Sequence, residues 1–253
     1  MNLGKTLKIV CMTETQSIDK KTSPLNEWVN RFNPKWVDFS ERPIGVLGVA
    51  INTLGKLHKS KIKKHLLSLD NQDRFMRFGY TATDEHIERY VDGLNYERDD
   101  IYGIFSDSME LVAMAHLALP NENDKEKQAE FGVSVLKTQR GKGYGNKLFE
   151  RASIHATNNN IKTIFIHALS ENAHMLKIAR KHGAVLNREG SETEAYVSLA
   201  KPSIDTQLNE LMLEQYAKTN YDIRREIKKF WDFMKDVHEI RQGVKLARQK
   251  SAS

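Results

Sequence analysis

Seven residues, Gln139-Arg140-Gly141-Lys142-Gly143-Tyr144-Gly145, set three glycines between a strand-like and a helix-like segment. Before them, Ala129 to Leu136 alternates Phe131, Val133 and Val135 with Glu130, Gly132 and Ser134, the period of a strand. After them, Asn146 to Ala156 carries Leu148, Phe149 and Ala152 at helical spacing. A chain that turns through glycines from strand into helix leaves several backbone N–H groups unpaired and aimed at one spot. The partial positive charge of the helix start lies there too. Arg140 and Lys142 add fixed charge, so the segment is expected to cradle an anion, a polyphosphate first of all.

The chain can bury a real core, because 40% of its 253 residues are apolar. Its formal charge of +6 favours anionic partners. Basic and acidic residues are interleaved, however, and no motif or basic–aromatic stripe points to nucleic acid. The single cysteine, Cys11, excludes an intramolecular disulfide, and no Cys/His group has zinc spacing. His58, His65 and His86 read as surface or core residues, and no metal site is expected. With no 18-residue apolar run and no signal-peptide pattern at Met1–Met12, a soluble, cytoplasmic protein is expected.

Three parts are expected. Residues 1–55 form an irregular arm with Pro24, Pro34, Pro43, Trp28 and Trp36, and with Leu7 to Met12 as a short strand. Its aromatics either dock it or leave it a partly disordered extension. Residues 56–200 form the main domain. There Lys56–Lys64 reads as a solvated basic face or edge strand, and Asp70–Phe78 as a short helix ended by Gly79. Thr83 caps a second helix that closes at Gly93. The period then becomes two, with strands at Ile101–Phe105, Leu111–Leu119, Ala129–Leu136 and Thr163–Leu169. Pro120–Lys127 is a polar loop. A helix runs from Ser170-Glu171-Asn172 to His182, with Gly183 as its stop, and two short strands lie within Val185–Leu199. Pro202 is a boundary. In residues 201–253, Ile204 to about Gln249 is one long helix with Tyr216, Ile223, Ile227, Phe230, Met234 and Val237 as an apolar stripe, and Lys245–Lys250 is a frayed tail. The stripe suits packing on the domain or pairing with a second copy. The whole reads as an α/β or α+β layer with a mixed sheet and helices on both faces.

Two familiar glycine loops do not fit. A P-loop needs GxxxxGK[ST], which is absent, and a dinucleotide fingerprint needs glycine where Asn146 stands. A third pattern, R/Q-x-x-G-x-G/A, is met by Arg140-Gly141-Lys142-Gly143-Tyr144-Gly145. With that motif between strand and helix, Asn172 opening the next helix and Gly183 eleven residues later, the chain from about Lys56 to Ala200 resembles the GNAT superfamily of N-acetyltransferases.

The resemblance implies a largely antiparallel sheet whose central strands splay apart around acetyl-CoA, the acyl donor. Pyrophosphate would sit on the amides of Arg140, Gly141, Lys142, Gly143, Tyr144 and Gly145. Pantetheine would pair with the backbone of Val133, Ser134, Val135 and Leu136, and Asn172 would touch the cofactor. An amide near Val135 would hold the oxyanion. Glycines at 143 and 145 would let the backbone approach phosphate. The activity implied is transfer of an acetyl group to a primary amine of a small molecule, peptide or protein. A non-catalytic acyl-CoA-binding or regulatory module is the alternative. Glu130 is the first base candidate, His167 the second and His116 the third. The register of Glu130 leaves its face open, since one residue of slip would turn it away. At the position where many relatives place an acid tyrosine stands Ala179, so Tyr196, Ser170 or a water would take that part. The acceptor is not legible. A homodimer through the C-terminal helix or the N-terminal arm is the partner the extensions suggest.

Overall fold

The computed structural model describes residues 49–121 and 127–250, with side chains at 234 and 237–250 left outside. The chain divides into two units, Met1–Val46 and Leu47–Ser253. The second carries everything below. The expectations for Leu7–Met12, Cys11, Trp28, Trp36, Pro24, Pro34 and Pro43, and for the side chains of Met234 and Val237, lie outside the described residues.

Seven strands form one sheet in the order β1-β2-β3-β4-β5-β7-β6. They are β1 (Asn52–Thr53), β2 (Asp100–Phe105), β3 (Leu111–Ala118), β4 (Gln128–Val135), β5 (Thr163–Leu169), β6 (Val185–Glu189) and β7 (Glu192–Ser198). Every pair is antiparallel except β4 with β5. The helices are α1 (Lys59–Leu67), α2 (Asn71–Phe78), α3 (Asp84–Asp92), α4 (Tyr144–Asn158), α5 (Ala173–Lys181) and α6 (Ile204–Lys250).

Alternation along the strands divides the apolar side chains between two cores. Ala129 and Phe131 of β4 and Ile164 and Ile166 of β5 meet Leu148, Phe149 and Ala152 of α4 on one face. On the other, Met114 of β3 joins Ile62 and Leu66 of α1 and Ile87 and Val91 of α3. The sheet therefore has one covered face built by the helix after the glycines, and a second built by the three helices that precede β2.

Several helix ends follow from the sequence. The Asp70 carboxylate accepts the Asp73 N–H at 2.8 Å, and α2 ends at Gly79, whose φ of +78° suits glycine. Thr83 caps α3. Gly183 is likewise left-handed, with φ of +74°. Two expectations need correction. For Lys56–Lys64 the edge strand is wrong and the solvated basic face stands: the run enters α1, with Ile62, His65 and Leu66 buried at helical spacing and the lysines outward. Asn52 and Thr53, assigned to the irregular arm, pair with Gly103 and Tyr102 as an edge strand.

The long helix α6 runs as one element to Lys250, so the expected frayed end is helical backbone. Its first half packs on the domain. Ala217 is buried, and its carbonyl accepts the Asn52 side-chain amide at 2.9 Å. Arg151 of α4 bonds Glu210 at 2.9 Å and Glu214 at 2.8 Å across the interface. Further along, Ile223, Ile227, Phe230, Trp231 and Phe233 are exposed. Among the described residues, no helix is long and apolar enough to cross a membrane.

Candidate functional site

The strands β4 and β5 run side by side for only three rungs, Gln128–Thr163, Ala129–Ile164 and Glu130–Phe165. Beyond Glu130 they diverge, while β4 stays paired to β3 through Val135. The Leu136 N–H bonds the Val112 carbonyl on the β3 side at 2.9 Å. Backbone direction alternates along a strand, so Val133 and Val135 turn their N–H and C=O groups to the open side. A free strand edge of this kind is a hydrogen-bonding ladder without a partner strand.

The glycine segment lies at the wide end of that opening. Gly141 and Gly143 have φ of +81° and +74°, a region that disfavours any side chain. Gly143 is the N-cap of α4. The first bond of the helix runs from Lys147 N–H to the Gly143 carbonyl at 3.1 Å, which leaves the amides of Tyr144, Gly145 and Asn146 without intrahelical partners. Gly145 has a further reason to be glycine. A Cβ there would come within 2.9 Å of Ile178 Cδ1, so its smallness also serves the packing of α4 on α5.

A cavity of about 710 Å³ joins these features. Val133, Ser134, Val135, Arg140, Gly141, Gly143, Tyr144, Gly145 and Asn172, nine of the residues expected to bind a cofactor, line it together. Leu136 and Lys142 do not; the Lys142 ammonium instead donates to Gln139 at 2.7 Å. The lining carries Arg77, Arg140, Lys147, Lys177 and Lys181 against Asp73 and Glu150. This excess of positive charge, with oriented amides at a helix start, suits a polyanion. Two of these cations are already paired: Arg140 with Asp73 of α2 at 2.5 Å, and Lys181 with Glu150 at 3.6 Å.

Asn172 is committed at both ends. Its carbonyl oxygen accepts the Met175 N–H at 3.1 Å as the cap of α5, and its amide donates to the Met76 carbonyl at 3.1 Å. It thus ties α2 across the mouth of the opening. Beneath the β4 edge, buried His65 donates from Nδ1 to the Leu111 carbonyl at 2.9 Å and accepts from Ser134 at 2.8 Å. Burial holds its pKa down at about 4, so it is a neutral core histidine.

The base candidates all point to the face of the sheet opposite α4, and none of them lines the cavity. Glu130 is exposed on the last paired rung, and the β3–β4 register runs without a shift from Ala118–Glu130 to Ala113–Val135, so no bulge re-aims it. His167 is also exposed and meets Glu192 at 3.1 Å. His116 is better enclosed. Its Nε2 donates to the buried Asp99 carboxylate at 3.1 Å, and its Nδ1 accepts the Tyr90 hydroxyl at 2.8 Å. Burial lowers the His116 pKa by more than the Asp99 hydrogen bond raises it. Burial also raises Asp99, but hydrogen bonds from Arg98 and His116 outweigh that and leave it below the usual carboxylate range. Arg77 completes the chain, donating to the Tyr90 oxygen at 3.0 Å. Ala179 is fully buried in the core, and the Tyr196 hydroxyl donates to Glu194 at 2.9 Å. Ser170 bonds Glu192 and Thr193. Among the described residues, no group of three or more His, Cys, Asp or Glu could hold a metal ion.

The Arg77–Tyr90–His116–Asp99 chain escaped sequence reasoning, since its members come from α2, α3, β3 and the loop before β2. One signal was available: an isolated glycine inside a strand marks a close approach. At Gly132, a Cβ would lie 2.6 Å from Arg77 Cζ and 2.7 Å from both terminal nitrogens.

Comparison with known proteins agrees with this geometry. A family model described as an acetyltransferase (GNAT) domain matches residues 54–185, more than half of the chain. The GNAT domain of S. lividans PAT superposes with a TM-score of 0.51 at 14% identity, covering 59% of this chain and 89% of that one. A spermidine N-acetyltransferase from Vibrio cholerae, solved with CoA and spermine, gives 0.48 at 16% identity, over 60% of this chain and 96% of that one. An acetyltransferase of the GNAT family from Streptococcus pneumoniae gives 0.47 at 12% identity, over 59% and 98%. At such identities the likeness is one of fold. A search of curated proteins found no match. With the glycine loop at a helix start, the splayed strands and the family match over most of the same residues, the chain belongs to the GNAT acetyltransferases.

Proposed function

We propose that the chain is an N-acetyltransferase that moves an acetyl group from acetyl-CoA to a primary amine. The observation that carries this is one continuous cavity, running from the amides and cations of the glycine loop to the open edge of Val133–Val135. The diphosphate fits the first end and the amide-bearing pantetheine arm fits the second, strand-like. Acetyl-CoA supplies an activated thioester, and the remaining work falls to this chain's residues.

Transfer forms an N–C bond and breaks a C–S bond, and the amine must first lose a proton. For an ammonium of pKa about 10.4, that costs about 4.6 kcal/mol at pH 7. Glu130 and His116 share one face of the sheet at the point where β4 and β5 part, which supports Glu130 as a proton acceptor, directly or through water, and His116 as one reached through the Tyr90 hydroxyl that its Nδ1 accepts. His167, on the same face but paired with Glu192, is the second choice for that role. The Val133 and Val135 amides on the open edge suit the developing oxyanion. A thiol of pKa about 8.5 leaves tolerably as thiolate, so the buried Ala179 need not be replaced by another acid.

Free-thiol release from acetyl-CoA across an amine panel tests the activity. Tight CoA binding with no turnover across the panel would favour a non-catalytic acyl-CoA-binding module. We further propose a homodimer through α6, whose exposed Ile223, Ile227 and Phe230 recur at a spacing suited to a paired helix. Sedimentation of a chain ending at Arg225 tests it. An unchanged oligomeric state would remove the helix as the pairing element.

A further inference from the structure

The Arg77 guanidinium lies against Gly132, beside the touching rings of Phe78 (5.2 Å) and Tyr90 (5.6 Å), in the wall of the cavity. It donates a hydrogen bond to a neutral phenol, that of Tyr90, and its buried Nε has no partner. Among the described residues no carboxylate forms an ion pair with it, although Glu130 and Asp99 are close enough to act on the neighbouring Tyr90. A half-buried cation normally finds a carboxylate. This one is held by aromatic faces and by the absence of a side chain at 132, and it faces space that a ligand can enter.

Its place along β4 says which part of a ligand it would meet. The glycine loop lies beyond Val135, while Arg77 abuts Gly132, roughly 10 Å back along the strand. The diphosphate end already has Arg140 and the helix start. Arg77 stands at the other end, where the proposed transfer would bring the reacting carbonyl and the acceptor together.

We infer that Arg77 is a specificity-determining residue that recognises a carboxylate next to the reacting centre. Two sources share that chemistry: the carboxylate of an amino-acid-type acceptor, or the free carboxylate of a dicarboxylic acyl group on CoA. The planar fork of arginine pairs with a carboxylate through two parallel N–H donors, a geometry that lysine and glutamine lack. This assignment rests on the acyl-CoA transferase reading above.

The test compares matched substrates with the full-length protein. In one arm, thiol release from acetyl-CoA is measured with L-lysine against cadaverine, L-ornithine against putrescine and L-phenylalanine against phenethylamine. In the other, succinyl-CoA is compared with acetyl-CoA on one acceptor. The carboxylate-bearing member of one arm should react with kcat/KM about tenfold or more above its partner. Arg77→Gln should erase that preference and Arg77→Lys restore only part of it, while acetyl-CoA affinity by calorimetry stays within about twofold. Gly132→Ala, which displaces the guanidinium, should act like Arg77→Gln. No preference in either arm would overturn the inference, as would a loss in Arg77→Gln that is equal for all substrates, which marks an oxyanion or packing role. If wild type turns nothing over, calorimetry decides: equal affinity for succinyl-CoA and acetyl-CoA, together with no carboxylate-dependent binding of the amines, overturns it. Failure to bind any CoA ester sinks the transferase reading itself, a result distinct from all of these.

Discussion

Two arginines pack against tyrosine rings in this molecule, Arg151 buried and Arg77 half-buried, and their charge partners differ. Arg151 lies 4.9 Å over the Tyr102 ring and is bracketed by Glu210 and Glu214. Arg77 lies 5.6 Å over the Tyr90 ring and meets no carboxylate among the described residues. Both leave a buried Nε without a partner, so it is the carboxylates that separate them. Around Arg151 the charges close on themselves, because Glu210 also takes His155 and Asn158, and His155 also takes Asp100. That network ties α4 to α6 and has nothing left to offer a ligand. Arg77 keeps its charge on offer, beside a cavity. Charge balance marks one as a fastener and the other as a receptor.

The largest expected effect breaks the fastener. Arg151→Met leaves exposed Glu214 without its cation and Glu210 with His155 as its remaining cation, which should cost about 1.5–3 kcal/mol. Arg77→Met strands no carboxylate and should cost about 1 kcal/mol or less. Urea unfolding of both variants compares them directly, and a reversal of the order would end the distinction.

Next comes pH. Burial works to lower the His155 pKa, but hydrogen bonds with Asp100 and Glu210 hold it up at about 9. Burial works to raise Glu210, but bonds from His155, Asn158 and Arg151 bring it down to about 2. A raised histidine stabilises fully below its ordinary value of 6.5 and loses that contribution as pH rises through about 9. A depressed carboxylate stabilises above 4.5 and loses its contribution as pH falls through about 2. Melting temperature should therefore decline from pH 7 to pH 10, and His155→Gln should flatten that limb. An unchanged slope in the variant would remove His155 from the network.

A smaller effect concerns Arg140, which lies between the two cases because Asp73 holds it across the cavity. Asp73→Asn should free the guanidinium and tighten CoA binding about threefold, the scale of an exposed ion pair. Weaker binding would show that Asp73 positions Arg140 rather than competing with the ligand.

Much of this frame was legible in the residues. Asp70, Thr83 and Asn172 announced helix starts, Gly79 an end, and the glycine run the anion-binding turn, because each acts on its own neighbours in sequence. The helix α1 was hidden by its lysines, which outnumber the three buried residues that define its inner face. The strand β1 is too short for any period to show. The receptor at Arg77 was out of reach for another reason. It depends on Gly132 and Tyr90, 55 and 13 residues away, brought to it by sheet register and helix packing. Only Gly132, a glycine without a turn to make, hinted that something approaches there.

The central claim is that the cavity from Gly143 to Val133 takes acetyl-CoA. Calorimetric titration of the full-length protein with acetyl-CoA, beside Gly143→Asp, tests it most directly. Micromolar binding by wild type is expected, with a loss of about 100-fold or more in Gly143→Asp, where a carboxylate and a strained backbone would replace the open turn. Absence of binding by folded wild type at millimolar acetyl-CoA, or equal binding by the variant, would contradict it.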